Sequence, residues 1–211
     1  MDGTADSLYR GASIIVNREV QTLSMTTRDA VSQTDEELFA RYQGGDHVAF
    51  AILFERQKGP LYTFCLRMLG DPDRANDAFQ DTFARVVQYR ASYQSAKIFR
   101  GWLFTIARNV CYAAYGRDWK FESLDDLDGE QIGVPIDNDI DVTERELLAE
   151  ALGRLSAPLR EALLLYEYEG FSYEEIATMT GGSLSAIKVR IHRARKLLRE
   201  MLEPVLRSRQ S

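Results

Sequence analysis

Lys188, Arg190, His192, Arg193, Arg195, Lys196 and Arg199 crowd into a short stretch near the carboxyl end of the chain. Side chains of these types do the chemistry of nucleic acids. Ammonium and guanidinium groups neutralise phosphates, and they also donate to guanine acceptors. Such groups read a groove only if a rigid element carries them. Residues 172–199, SYEEIATMTGGSLSAIKVRIHRARKLLR, supply one. Ser172 with Glu175 forms a capping box that starts a short helix bearing Ile176, Ala177 and Met179, and Gly181-Gly182 ends it where a left-handed backbone is needed. Ser183 or Ser185 starts a second helix, on which Leu184, Ile187, Ile191, Ala194 and Leu198 recur at spacings of three and four as one buried stripe. A short helix, a tight turn and a longer helix with a basic outer face is the helix-turn-helix pattern. The alternative is a helical hairpin whose basic face is merely solvated. A basic helix alone would favour that alternative; the caps, the Gly-Gly turn and the small Ala177 at the crossing favour DNA.

The whole chain has 211 residues and a net charge of −6, with an isoelectric point near 5.1, an unexpected balance for a nucleic-acid binder. The charge is segregated, however. Residues 122–141 contain eight acidic side chains and no Lys or Arg, while residues 184–211 hold eight basic ones against Glu200 and Glu203. DNA contact depends on the local patch, so the acidic total does not argue against it. Cys65 and Cys111 lie in apolar helical surroundings without a CxxC or clustered His, which makes them buried small hydrophobes rather than metal ligands or a disulfide. No run approaches the roughly 18 apolar residues of a membrane span and no signal peptide is evident, so a cytoplasmic location without membrane insertion is expected. His47 and His192 are far apart, and there is no phosphate loop or nucleophile elbow. No enzyme activity, metal or cofactor is expected.

Helical periodicity runs through most of the chain, and no strand is needed. Residues 1–33 lack it and read as a mobile extension, with Met25 a second candidate start. Thr34 with Glu37 opens a helix bearing Leu38, Phe39 and Tyr42. Asp46 caps a longer one, closed by Gly70, in which Pro60 predicts a kink or break. Asp71-Pro72 restarts a helix with Ala75, Phe79, Phe83, Val86 and Val87 inward. Its other face shows Asp77, Gln80, Asp81 and Arg85, which on pattern alone is an ordinary solvated face. A polar connector, residues 91–97, leads to a helix with Trp102, Leu103, Ile106, Val110 and Ala113 inward. Residues 118–142 form the acidic linker. Thr143 with Glu146 starts a further helix, a helix from Ser156 to about Glu169 follows, and after the helix-turn-helix the chain breaks at Pro204. The expected fold is therefore all-α: two small helical domains, 34–117 and 143–206, joined by a flexible acidic linker, with a tail at 207–211. Two units on a tether can engage two sites on one partner with raised effective concentration.

The residues of both units resemble one family, the extracytoplasmic-function (group IV) sigma factors of bacterial RNA polymerase. LSAPLREALLLYEYEGFSYEEIATMTGGSLSAIKVRIHRARKLLRE is similar to that family's region 4, and DPDRANDAFQDTFARV with FRGWLFTIARN is similar to its region 2. Two departures stand out: Asn76 replaces a usual acidic residue, and AAYGRDWK carries fewer basic residues than is common. The resemblance implies core RNA polymerase (clamp of the largest subunit and flap region), promoter DNA and an anti-sigma factor as partners. It puts Asp77, Gln80, Asp81 and Arg85 at the polymerase. Ser185, Lys188, Val189, Arg190, His192, Arg193 and Lys196 fall at the −35 element. Tyr93, Ser95, Lys97, Arg100, Arg108, Asn109 and Tyr112 fall at a melted −10 element. A stand-alone helix-turn-helix regulator is the competing reading; it would leave the DAFQDTF patch and the tether unexplained.

Overall fold

A computed structural model of the chain describes residues 33–93, 98–115 and 144–208. Among the described residues there are eight α-helices and no strand: α1 (Asp35–Gln43), α2 (His47–Leu69), α3 (Pro72–Gln88), α4 (Phe99–Tyr115), α5 (Glu144–Arg154), α6 (Ala157–Glu167), α7 (Tyr173–Thr180) and α8 (Leu184–Ser208). The expected extension at 1–33, capping Thr143, connector 91–97, acidic linker 118–142 and tail at 207–211 lie largely or wholly outside those residues.

The caps follow from side-chain chemistry. Thr34 and Glu37 exchange hydrogen bonds with each other's backbone amides, and Asp46 accepts from Val48 and Ala49 at the start of α2. Asp71 accepts from Arg74, and Pro72 takes the first position of α3, where no amide is needed. Gly70 closes α2 at φ 70°, a left-handed backbone that costs a side chain about 1–2 kcal/mol.

Two prolines depart from the sequence expectation. Helix α2 runs without interruption through Pro60, and α8 runs through Pro204. Proline in a helix interior costs about 3 kcal/mol because a hydrogen bond is lost. In α2 that cost is offset by burial on both sides of an exposed Pro60: Leu53 and Gln57 before it, Leu61, Phe64, Cys65 and Met68 after it. Val87, expected inward, is 37% exposed: it follows the fully buried Val86 by one residue, about 100° round the helix, and so turns away from the core.

Helices α1–α4 close around Leu38, Phe39, Leu53, Leu61, Phe64, Met68, Leu103 and Phe104. Helices α5–α8 close around Leu152, Leu159, Leu163, Leu164, Ile176, Ile187, Ile191 and Ala194. The sequence separates these modules by an acidic stretch, yet here they pack against each other and their apolar residues join into one cluster. Helix α6 explains why: it is buried on nearly every side, facing α8 within its own module and α2 across the junction.

Candidate nucleic-acid interface

The helix-turn-helix forms as its residues require. Ser172 and Glu175 complete the capping box, and Gly181 ends α7 at φ 71° with its amide donating to the Ala177 carbonyl. Ser183 starts α8, its hydroxyl accepting from Ala186. Ile187, Ile191 and Ala194 face inward, whereas Leu184 is 37% exposed, so the buried stripe begins one turn later than its spacing suggests. Ser185, Lys188, Val189, His192, Arg193 and Lys196 are exposed and Arg190 is half-buried, so the seven expected −35 residues share the outer side of one rigid helix. Two neighbours organise this side. The Lys188 ammonium sits 5.8 Å from the Tyr173 ring centre, and Tyr173 stacks on Tyr166 at 4.7 Å. Arg195 donates to Glu167 at 2.6 Å in an exposed pair that is easily exchanged.

On α3, Ala75, Ala78, Thr82, Phe83 and Val86 face the core. Asp77 and Asp81 are exposed, and Gln80 and Arg85 are half-buried. Arg85 pairs with Asp81 at 3.0 Å, four residues apart on the helix. A surface pair of this kind is worth under about 1 kcal/mol, so it is easily exchanged for a partner's charge.

The third group is placed differently. Tyr93 is 5% exposed and sits among the rings of Phe39, Phe99 and Trp102, with centres 4.8–6.0 Å away. Burial, then the charge of Glu36, push its phenol up to about 12. Arg108 is 9% exposed and Glu161, on α6, only 1%. The Arg108 Nε donates to one Glu161 oxygen, and the Tyr112 hydroxyl donates to the other at 2.6 Å. Burial loosens the Arg108 proton, but the charge and hydrogen bond of Glu161, followed by those of Tyr112, outweigh it and hold that proton more tightly than usual. Arg100 donates to the Glu169 carboxylate at 2.6 Å and to its backbone carbonyl at 2.7 Å. Asn109 is exposed, its amide oxygen accepting from Arg108. Ser95 and Lys97 lie outside the described residues.

The profile for sigma-70 region 2 matches residues 53–121, and that for sigma-70 region 4 matches residues 145–198. RNA polymerase sigma factor CarQ of Myxococcus xanthus is 34% identical over 165 residues, covering 77% of this chain and 94% of that protein. The chain belongs to the extracytoplasmic-function sigma factors of the sigma-70 family. Another relative, the RNA polymerase sigma-H factor of Pseudomonas aeruginosa, is 29% identical over 83% of this chain and 97% of its own. Among solved structures, CnrH in complex with the cytosolic domain of CnrY matches with a TM-score of 0.64, at 27% identity over 82% of this chain and 99% of that one. The sigma factor RpoE of Bartonella quintana, in complex with the anti-sigma factor NepR, matches at 0.58 with 32% identity over 73% and 96% of the two chains. With both regions present in order, the stand-alone regulator is set aside.

In the conformation observed, most of the expected −10 residues of this sigma factor face the protein itself. Tyr93 is a core residue of region 2, because its ring completes an aromatic cluster. Arg108, Arg100 and Tyr112 bond to carboxylates of region 4, Arg108 buried and the other two half-buried. What the sequence reading missed is Glu161 and Glu169. A signal was present: Glu161 stands in the run LREALLLY, where a helix apolar on all sides carries one acid, and a buried carboxylate requires a donor.

Proposed function

We propose that this sigma factor divides its promoter contacts between its two regions while α3 holds the polymerase. The observation that carries the reading is the exposed row Lys188, Val189, His192 and Arg193 over the buried stripe Ile187, Ile191 and Ala194. A row of donors fixed to a core by its opposite side keeps its register as it enters a major groove. Lys188 donates to guanine acceptors, Val189 touches a thymine methyl, and Arg190, Arg193 and Lys196 meet phosphates that set the register. Asp77, Gln80 and Asp81 present acceptors to basic residues of the polymerase clamp, with Arg85 exchanging its partner on binding. Melting of the −10 element requires no covalent step. It requires contacts to unpaired bases and backbone that offset lost stacking, and Arg100, Arg108, Asn109 and Tyr112 of α4 supply donors of the right kind once exposed. One structural relative, RpoE of Bartonella quintana, is bound to the anti-sigma factor NepR, and a regulator of that class acts on this chain as well. The site of action is the cytoplasm, and among the described residues no helix is long and apolar enough to cross a membrane.

In vitro transcription with core polymerase tests the reading: promoter-selective starts are expected, and none with core alone. Lys188→Ala should shift the base preference at one −35 position by about 1–3 kcal/mol. Arg193→Ala should weaken all −35 sequences alike and lower the salt slope by about one. Uniform loss in both variants would remove the split of roles.

A further inference from the structure

We propose that Glu161 is an intramolecular latch: its carboxylate takes up Arg108 and Tyr112 in place of a promoter strand and keeps the free sigma factor closed. The proposal rests on the reading above in one respect, that Arg108 and Tyr112 serve the −10 strand.

The chemistry of the contact is that of an imitated phosphate. Glu161 offers two oxygens: one accepts from the Arg108 Nε, the other from the Tyr112 hydroxyl and, at 3.4 Å, from the Arg108 Nη2, the donors that backbone oxygens would otherwise claim. Burial makes the two uses exclusive. With Arg108 9% and Glu161 1% exposed, no face of that guanidinium is left for a strand while the contact stands. The neighbouring residue helps hold the geometry: Arg160 crosses to the Met68 carbonyl and the Tyr115 hydroxyl of region 2 and is anchored at home by the carbonyls of Gly153 and Leu155. Adhesion comes from apolar contact, Phe104 against Phe171 with ring centres 5.5 Å apart, and from Arg67 lying 3.6 Å over the Tyr168 ring.

A buried ion pair is suited to a latch because it specifies more than it binds. Charges that separate into water regain their hydration, so opening loses little at this pair. Removing one charge alone is different, since the other is left buried without a partner. Glu161→Gln therefore keeps the shape of α6 but leaves the Arg108 guanidinium uncompensated only in the closed form. In the open form Arg108 is hydrated and available. The polymerase, by binding both regions at separate places, supplies the same opening without a mutation.

The test uses the full chain with dyes on cysteines introduced at the exposed Gln88 and Glu200, the native thiols being buried. Energy transfer reports separation. Binding of a fluorescent single strand bearing the −10 region of a promoter mapped by the transcription assay reports access. E161Q should lower transfer and raise strand affinity by about tenfold, the factor by which a mostly closed population suppresses binding. Unchanged transfer in folded E161Q overturns the latch. Opening without a gain in strand affinity overturns it too, and Arg108→Ala in the polymerase-bound protein then locates the fault. Normal promoter opening there faults the assignment of Arg108 to DNA; impaired opening faults the latch itself. Should E161Q fail to fold, Tyr112→Phe carries the test, since it removes one donor from Glu161 and should lower transfer; no change there overturns the proposal.

Discussion

At the scale of the residue, small groups in special positions decide a great deal. Gly181 ends α7 at φ 71° and gives the turn its geometry. Gly181→Ala should destabilise the protein by about 1–2 kcal/mol, as read by urea denaturation, and weaken −35 binding in proportion to the fraction unfolded. Cys65 and Cys111 are both buried, and a hydrogen bond with Cys65, followed by burial, pushes the Cys111 thiol up. Neither thiol should react with an alkylating reagent at neutral pH until denaturant unfolds region 2; rapid labelling of the native chain would contradict that placement. The sequence made both thiols legible as core residues, because no ligand spacing accompanied them. It could not do the same for Tyr93, whose neighbours are polar in sequence and whose aromatic partners Phe39, Phe99 and Trp102 come from elsewhere in the chain.

At the scale of the element, amphipathic spacing predicted the helices well, and the capping residues fixed several starts. Thr34, Asp46, Asp71 and Ser172 all act through their side-chain oxygens as expected. The failures were the two prolines and the inward placement of Val87 and Leu184, each 37% exposed. Local chemistry makes Pro60 a break, but burial of the helix on both sides of it outweighs a lost hydrogen bond. Phe39 is the residue on which α1 and α4 converge, with the rings of Tyr42, Tyr93, Phe99 and Trp102 around it. Phe39→Ala should cost about 3–5 kcal/mol and lower the thermal midpoint of the region 2 transition. A smaller loss would mean that α1 contributes less to region 2 than its packing implies.

At the scale of the whole molecule, the closed arrangement has its own pH signature. Burial pushes the Glu169 carboxyl up from its ordinary value of 4.5, against the pull of Arg100 from α4 and Arg67 from α2. A carboxyl held above its solution value favours the closed form when protonated. The contribution is fully present below pH 4.5 and is lost as pH rises through the raised value. Energy transfer in the labelled chain should accordingly rise as pH falls from neutral towards 4.5, and Glu169→Gln should flatten that rise; an equal slope in both proteins would remove Glu169 as its source. By itself the sequence determined the all-helical class, the two regions, their family and the outward row of α8, because periodicity, caps and motif spacing are local properties that one chain segment states about itself. Only the tertiary structure decided that region 4 closes on region 2 and that Glu161 and Glu169 claim the arginines of α4. Such pairings join residues 53 and 69 positions apart, and nothing in the spacing of either segment encodes which distant charge will compensate it once water is excluded.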